Sequence, residues 1–297
     1  YACITNCIND SSSSPYTYSE YLKDGDIDKL DRVIISNLKS LNNIIDYNIK
    51  NNIHFYRISS KIIPLATKDD VKFDYTNKYK SYYDTIGKKI SDSKMRVDFH
   101  PDQFCVLNSV KSDVVSNSVK ILEYHYNLLN MLNVNDKILI LHVGSSTFGK
   151  ENSISRNFNK LPIYLRKCIA IENDDKVFNV NDVLKISKVT SIPVVLDYHH
   201  HLCNKSDFSF ADIFNSWGNR RVKMHFSSPK NKRDYRSHNE YINGDDFINF
   251  IEILKKYDRD IDIMLEAKGK DDSLFRLVRY IKYKTDYEFI DDTTFLV

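Results

Sequence analysis

Short apolar runs rich in Val, Ile, Leu and Phe recur along the chain and are separated by longer polar stretches. Within each run the apolar residues occupy both odd and even positions, which is typical of strands buried on both faces of a parallel sheet. The pattern predicts eight strands, at residues 1–5, 55–59, 95–100, 138–143, 168–172, 193–197, 222–226 and 261–266.

The polar stretches between these runs have helical spacing. In residues 30–49 the apolar positions follow one helical stripe, and residues 116–132 show the same spacing. Asn179 is a suitable N-cap for a helix that includes residues 183–189, with Asp182 as an acidic residue in its first turn. Helices are therefore expected to alternate with the strands.

This alternation predicts an α/β protein, a (β/α)8 TIM barrel formed by a single domain over residues 1–297. An open, doubly wound sheet is the competing architecture, but no glycine-rich fingerprint follows the first strand. Residues 280–297 form a C-terminal tail with alternating charges and aromatic rings. We expect this tail either to close the base of the barrel or to wrap around its outside.

The 297 residues carry 43 Lys and Arg against 40 Asp and Glu, which gives a formal net charge of +3. With so small a net charge, any binding of nucleic acid requires a local basic patch. The five cysteines lack the spacing of a zinc knuckle and indicate free thiols in a reducing compartment. Because neither a membrane-spanning run nor a signal peptide is seen, the expectation is an intracellular protein with no membrane partner.

Side chains that can bind metal ions stand at or just after the C-terminal ends of the predicted strands. In a barrel these strand ends all face one mouth, where active sites form. The residues in question are His100, His142, Glu172, Asp197, His200, His225, His238 and Glu266.

Three carboxylates among imidazoles would repel one another or take up protons unless cations lie between them. Nitrogen and oxygen ligands without thiolates suit Zn²⁺, Mn²⁺ or Fe²⁺ better than Ca²⁺. The number of ligands exceeds the need of one tetrahedral ion, so the residues predict two or three divalent metals. In the run His199, His200 and His201 we expect His200 to reach the metals and His201 to support it from behind.

Metal clusters with bridging carboxylates serve phosphodiester hydrolysis, because the ions generate hydroxide and stabilise the attacking and leaving oxygens. Isomerisation of aldoses is the other chemistry found at carboxylate-rich barrel mouths. Isomerases use few histidines, whereas five histidines are present in this set. The composition of the site therefore favours hydrolysis of a phosphodiester.

Seven segments, taken together and in order, resemble ultraviolet damage endonucleases. They read FYRISSKIIP (55–64), VDFHPDQF (97–104), LILHVG (139–144), IEND (171–174), LDYHH (196–200), KMH (223–225) and LEAKGK (265–270). The resemblance implies a DNA repair endonuclease whose barrel is akin to that of the apurinic-site endonucleases. It implies two or three bound metals, often Mn²⁺, with Zn²⁺ or Mg²⁺ as alternatives.

The same resemblance implies incision of damaged double-stranded DNA by a monomeric enzyme. The backbone would be cut immediately 5′ to pyrimidine dimers and 6-4 photoproducts, leaving a 3′-hydroxyl and a 5′-phosphate. The family's metal ligands fall on the residues already chosen from the strand ends. Among these, Glu172, His225 and Glu266 would also be catalytic, together with Lys223, which matches an active-site lysine that is carbamylated in relatives.

The lesion-probing pair of the family falls on Gln103 and Phe104, with Phe where Tyr is common. An amide and an aromatic wedge can fill the gap left when damaged bases are extruded. Tyr1 matches an aromatic of the first strand that supports the same region. DNA contact is also expected from the loop after the seventh strand, through Lys230, Lys232, Arg233, Tyr235 and Arg236.

Lys68 departs from the family, which usually has a histidine near the metals at this position. A protonated lysine offers no lone pair to a metal, so it would instead neutralise a phosphate or a carboxylate. Two alternatives therefore stay open. One is an apurinic-site endonuclease or sugar isomerase on the same barrel, and the other is a catalytically weak damage-binding protein.

Overall fold

A ring of parallel strands forms the core of the protein in the computed structural model, which describes residues 1–102, 104–147, 149–150 and 154–297. The strands are β1 Phe55–Arg57, β2 Arg96–Asp98, β3 Leu139–His142, β4 Ile169–Glu172, β5 Val194–Asp197, β6 Val222–Phe226 and β7 Ile261–Leu265. Strands β3 to β7 pair in sequence order, and β1 pairs with β2. A bridge between Phe99 and Leu139 connects the two sheets. The fold is the predicted TIM barrel.

The first predicted strand, residues 1–5, is wrong as a strand. Ala2 makes a single bridge, to Arg57, and the chain then turns at Cys3, which has a left-handed φ of 68°. Ala2, Phe55 and Met264 pack together as a small apolar cluster separate from the main core. This contact places the N-terminal segment beside both β1 and β7, where the ring would otherwise be open.

Helices cover the outside of the strands. They are α1 Tyr18–Asp24, α2 Ile27–Lys50, α3 Lys80–Asp92, α4 Ser112–Met131, α5 Ser155–Phe158, α6 Ile163–Arg166, α7 Val180–Thr190, α8 Tyr198–Cys203, α9 Phe210–Ser216, α10 Gly244–Leu254 and α11 Lys270–Lys284. The three helices predicted from spacing are confirmed as α2, α4 and α7. Helix α7 begins with a capping box in which Asn179 and Asp182 bond each other's backbone N–H groups.

The parallel register fixes which side chains share a level in the barrel. His142 lies beside Glu172, and Asp197 lies beside His225. Trp217, which follows α9, is buried and donates its indole N–H to the carbonyl oxygen of Val194 on β5 at 2.8 Å. This hydrogen bond anchors β5, the strand that ends in Asp197, to the residue that follows α9.

The C-terminal tail packs at the base of the barrel. After α11 the chain forms a short antiparallel ribbon, β8 Glu288–Phe289 with β9 Phe295–Leu296. Asp291 lies 2.7 Å from His54 Nε2, and Thr293 Oγ1 donates to the carbonyl oxygen of Asn52 at 2.5 Å. Because residues 52–54 directly precede β1, these contacts are at the end of the barrel opposite the mouth. Among the described residues, no helix is both long and apolar enough to cross a membrane.

Candidate metal centre

Glu172, the last residue of β4, is the centre of the polar cluster at the mouth of the barrel. It is fully buried, yet its carboxylate faces four imidazoles. Oε2 lies 2.8 Å from His100 Nε2 and 3.8 Å from His142 Nε2. Oε1 lies 2.8 Å from His225 Nδ1 and 3.6 Å from His200 Nδ1. Each carboxylate oxygen therefore faces a different pair of ring nitrogens. Toward Oε1 these are N–H groups, since His225 Nε2 accepts from Arg57 and His200 Nδ1 donates to the carbonyl oxygen of Asn173 at 3.1 Å.

Asp197 ends β5 and is also the N-cap of α8. Its Oδ1 accepts the backbone N–H of His200 at 2.7 Å, which fixes the start of the short helix. Asn173 holds the same residue from the other side, since its amide oxygen accepts from the backbone nitrogen of Asp197 and its amide nitrogen donates to the Asp197 carbonyl, both at 2.9 Å. Oδ2 of Asp197 is buried and has no hydrogen-bond partner in the described ranges.

The third part of the cluster joins His225 on β6 to Glu266, which follows β7. His225 Nδ1 lies 3.5 Å from Glu266 Oε1. Arg57, at the end of β1, reaches both residues with its guanidinium fork. It donates from Nη1 to Glu266 Oε1 at 2.5 Å and from Nη2 to His225 Nε2 at 2.6 Å.

Three groups of ligand atoms in this cluster are close enough together to hold an ion. They are His100 with His142 and Glu172, Glu172 with Asp197 and His200, and Asp197 with His225 and Glu266. In each group the nitrogen and oxygen atoms lie within 4.8 Å of one another. Imidazole with carboxylate, without thiolate, is a donor set suited to Mn²⁺, Zn²⁺ or Fe²⁺.

The hydrogen bonds of His100 test this assignment. Its Nδ1 lies 2.9 Å from the carbonyl oxygen of Pro101, and a carbonyl only accepts, so Nδ1 carries the hydrogen. The Nε2 lone pair of the neutral ring then faces Glu172 Oε2 at 2.8 Å, so that one acceptor faces another. A proton or a metal ion between these atoms resolves the conflict. The residues therefore fit a metal centre, and the carbonyl is the outer partner that fixes the ligand's orientation.

The pKa values in the cluster are displaced in opposite directions. Burial alone would raise the pKa of Glu172, but the charges of His225 and His142 hold it well below its usual range. Burial raises the pKa of Asp197 to about 7, and His200 opposes this only in part. For His200 burial is outweighed by Asp197 and Glu172, which raise its pKa to about 9. Strongly displaced pKa values of this kind are typical of functional sites.

His238 lies beside this cluster on the loop after β6. Its ring is 6.2 Å from that of His200 and 5.5 Å from that of His199. The prediction that His201 supports the metal ligands is wrong, because its ring packs against Phe208 at 4.9 Å. Residues 198–203 form a helix, so His199, not His201, turns toward the site, where its Nε2 lies 3.3 Å from the carbonyl oxygen of Arg236.

Lys223 lies one level below the ligands on β6 and is buried. Its Nζ lies 3.6 Å from Asp262 Oδ2 and 3.9 Å from Asp98 Oδ2, and it stands 3.7 Å from the ring centre of Phe55. Lys223 is therefore shielded from solvent. The side chain does not reach the open mouth, so it is not placed to touch DNA directly.

The rim of the mouth carries the residues expected to contact DNA. Phe104 is 74% exposed and Tyr235 41% exposed, whereas Gln103 lies outside the described residues. Lys230 pairs with Asp234 at 3.3 Å and Arg236 with Asp175 at 3.3 Å. Lys232 and Arg233 are exposed on the same loop.

Two further residues that were expected near the DNA or the metals, Tyr1 and Lys68, lie elsewhere. Tyr1 is buried, and its hydroxyl donates to Asn48 Oδ1 at 2.6 Å, so the residue supports α2 and cannot contact DNA. The ammonium group of Lys68 lies 4.7 Å from the ring centre of Tyr18 and not on a metal ligand of the cluster.

Sequence reasoning missed Arg57, Asp98 and Asn173. Arg57 lies two residues before the predicted end of its strand, and Asp98 precedes His100 by two, so both point into the barrel. A rule that looked at every inward polar residue of a strand, and not only at its last one or two, would have found both. Asn173 follows Glu172 directly, and no pattern marks it as the clamp on Asp197.

Comparison with known proteins gives a consistent result. The family described as UV-endonuclease UvdE matches residues 1–294. The UV DNA damage endonuclease of Bacillus cereus (strain G9842) is 38% identical over 261 residues, covering 84% of this chain and 82% of that protein. The crystal structure of SacUVDE has a TM-score of 0.87 at 33% identity, covering 95% of this chain and 97% of that one.

A more distant structure shares the architecture. Endonuclease IV from Thermus thermophilus has a TM-score of 0.58 at 13% identity, with 82% of this chain and 94% of that chain covered. At this identity the likeness shows the common barrel alone.

Proposed function

Because this chain belongs to the UV-endonuclease UvdE family, and is thus a DNA repair endonuclease, we propose that it incises damaged DNA with the help of bound metal ions. The cut falls immediately 5′ to ultraviolet photoproducts, which include pyrimidine dimers and 6-4 photoproducts. The products are a 3′-hydroxyl and a 5′-phosphate. The enzyme acts as a monomer on double-stranded DNA.

The observation that carries this proposal is the position of Glu172. A fully buried carboxylate whose two oxygens face two different pairs of imidazoles is costly unless cations neutralise it. Ions held there would supply a hydroxide near neutral pH and stabilise charge on the phosphate oxygens.

The residues that would hold these ions follow from the three groups described above. His100, His142 and Glu172 would hold one ion, Glu172, Asp197 and His200 a second, and Asp197, His225 and Glu266 a third. His238, whose ring lies 6.2 Å from that of His200, would contribute to the second subsite. The ammonium group of Lys68 lies over the ring of Tyr18, so this residue is not one of the proposed ligands. The proposed count is two or three ions per chain, and the proposed metal is Mn²⁺.

The chain's own residues orient these ligands. Asn173 clamps the backbone of Asp197, the carbonyl of Pro101 sets the hydrogen of His100 on Nδ1, and Arg57 holds Glu266 toward His225. Because the ligands sit on strand ends of a rigid barrel, they keep the geometry that a phosphate needs. Lys223 lies two residues before His225 on the same strand and is buried one level below the ligands. It is proposed as a positioning residue for His225.

Lesion recognition is proposed for Gln103 and Phe104. An aromatic ring that is 74% exposed at the rim is suited to enter the stack where bases are extruded. We expect Phe104→Ala to lower incision at a pyrimidine dimer roughly tenfold, since stacking contributes about 1–3 kcal/mol per base. Phe104→Tyr should keep full activity, and equal activity of Phe104→Ala and the wild type would remove Phe104 from the proposal.

The test of the function is a nicking assay on a duplex with one defined pyrimidine dimer, with Mn²⁺ and with a chelator. The expected result is a single incision directly 5′ to the dimer that is lost with the chelator. Incision only at an abasic site would move the activity to the apurinic branch. Tight binding of damaged DNA without incision on either substrate would make the chain a damage-binding protein.

A further inference from the structure

A second concave site adjoins the candidate metal centre, and we call it the lateral pocket. It has a volume of about 380 Å³ and lies between the ends of β1 and β7 and the loop after β6. It shares Glu266 and His238 with the centre, and its other charged walls are Arg57, Arg236, Lys268 and Lys270. Four cationic side chains thus surround a space that opens beside the predicted ligands.

Two of these cations have no acidic partner. In the described part of the chain, no carboxylate oxygen lies within 4.0 Å of the ammonium groups of Lys268 or Lys270. Arg236, by contrast, pairs with Asp175 at 3.3 Å. The lateral pocket therefore offers positive charge that the protein itself does not neutralise.

The nearby carboxylates are engaged elsewhere. Glu266 is held by Arg57 at 2.5 Å. In the first turn of α11, Asp271 accepts the backbone N–H of Asn6 at 2.7 Å, and Asp272 pairs with Arg276 at 3.1 Å. None of these three is free to turn toward Lys268 or Lys270 without losing its present partner.

The loop that carries the two lysines is held rigidly. The backbone nitrogen of Lys268 donates to the carbonyl of Asn239 at 3.0 Å, and that of Gly269 donates to the carbonyl of Glu240 at 2.8 Å, which joins this loop to the one after β6. A side chain at Gly269 would collide with the Glu240 carbonyl oxygen, because a Cβ there would lie 2.7 Å from it. Lys270 has a left-handed φ of 50°, a conformation that costs a non-glycine residue energy and is common at functional sites.

We propose that the lateral pocket binds one phosphodiester phosphate of the DNA strand, next to the phosphate that faces the metal centre. Lys268 and Lys270 are its principal ligands, and Arg236 borders the same space. A cavity of about 380 Å³ holds a phosphate together with its sugar. This assignment rests on the proposed function, because it takes the bound polymer to be DNA.

The location explains what such a contact would do. Phosphate contacts fix the register of a protein on DNA without reading sequence. Because the pocket shares Glu266 and His238 with the centre, a phosphate held there sets which neighbouring linkage reaches the metals. A lesion-directed enzyme needs such a fixed spacing between the damage and the cut.

The experiment replaces charges on both sides of the contact. Single phosphates near the incision site of a dimer-containing duplex are exchanged, one at a time, for uncharged methylphosphonates. One position should weaken binding by the wild-type holoenzyme roughly tenfold, and the same position should have little effect on the double variant Lys268→Gln/Lys270→Gln. Each single variant should also lower the salt dependence of binding by roughly one ion.

Lys256→Gln is the matched control, because Lys256 is exposed at the opposite end of the barrel and should change neither quantity. Melting temperatures confirm that the variants fold. If no phosphate position separates the wild type from the double variant, the pocket assignment is overturned, even when incision is normal. If the wild type binds DNA and shows this coupling but does not incise, the pocket stands and the proposed function fails.

Discussion

Two levels of buried charge lie one above the other inside the same barrel. At the lower level Asp98 and Asp262 face lysine and arginine, with Lys223 between them and Arg96 Nε 2.6 Å from Asp262. At the upper level Glu172, Asp197 and Glu266 face mainly imidazoles, and Arg57 is the cation that reaches up from β1.

The two levels differ in the source of the positive charge that balances their carboxylates. The carboxylates of the lower level are balanced by side chains that are always or normally cationic, although both oxygens of Asp98 and the Nζ of Lys223 have no hydrogen-bond partner among the described residues. The upper level must recruit protons or metal ions to its carboxylates. Buried charge with a resident counter-charge is therefore no sign of a metal centre, whereas buried carboxylates that face mainly imidazoles, such as Glu172 and Asp197, favour a cation from outside the chain.

The largest expected effect comes from breaking the upper level at its centre. Glu172→Gln should lower incision at a dimer by roughly a thousandfold or more, because the ions contribute several kcal/mol of transition-state stabilisation. Metal content measured after gel filtration should fall together with activity. Glu288→Gln, an exposed carboxylate on the basal ribbon, is the control. Incision by Glu172→Gln at the wild-type rate would contradict the metal assignment.

Removing the cation of the lower level should affect stability first. Lys223→Met leaves Asp98 and Asp262 short of one counter-charge and should lower the free energy of unfolding by about 3 kcal/mol. The double variant Lys223→Met/Asp98→Asn should recover part of the loss, since an amide needs no counter-charge. Urea denaturation followed by circular dichroism measures both. A double variant as unstable as the sum of its single changes would show that the two charges do not interact.

Chelation separates the two levels without mutation. Removal of bound metal should lower the melting temperature, because a ligand present at a hundred times its dissociation constant stabilises the fold by about 2.7 kcal/mol. Calorimetry with and without Mn²⁺ tests this for the wild type. In Lys223→Met the same shift should persist, since none of the three groups of ligand atoms found among the described residues includes a residue of the lower level. Identical melting temperatures with Mn²⁺ and with chelator would contradict the binding of metal ions at the upper level.

The smallest effect, roughly 2 kcal/mol between about pH 6 and about pH 4.5, concerns a histidine that belongs to neither level. His125 on α4 is buried against Phe99, and this burial, with the charge of His100, lowers its pKa from 6.5 to about 3. The unfolded chain binds this proton below pH 6.5 while the folded chain does not. Stability from this residue is therefore complete above pH 6.5 and is lost as the pH falls toward 3, by about 1.4 kcal/mol per pH unit.

His125→Phe should flatten this part of the pH profile while keeping a ring beside Phe99. The measurement is the free energy of unfolding between about pH 6 and about pH 4.5, with chelator in both samples so that the upper level contributes equally. Parallel profiles for the two proteins would show that His125 already takes up its proton in the folded state.

Much of the architecture followed from the sequence, because buried parallel strands and amphipathic helices have distinct apolar spacing. The ends of β4, β5 and β6 were placed correctly, and with them Glu172, Asp197 and His225. The first strand was not, since a left-handed residue at Cys3 leaves no mark in the hydrophobic pattern. In the run of histidines His201 was expected to support His200, whereas Asp197 caps a helix there and turns His201 away.

The site was predictable as a set of ligands but not as a network. Residue types at strand ends indicate what converges at the mouth, because the barrel forces that convergence. They do not indicate that Arg57 reaches from β1 to both His225 and Glu266, or that Lys268 and Lys270 lack acidic partners within the described residues. Those facts depend on side-chain directions between strands that are far apart in sequence.

The single tryptophan of the chain gives the barrel a built-in optical probe. Trp217 is buried and bonded to Val194, three residues before Asp197 on the same strand. Its fluorescence therefore comes from one known place, with no second indole to blend with it. Emission at short wavelength would report an intact β5, and a red shift would mark the moment at which water reaches that strand. Unfolding and metal titrations can thus be followed at the back of the centre without a label.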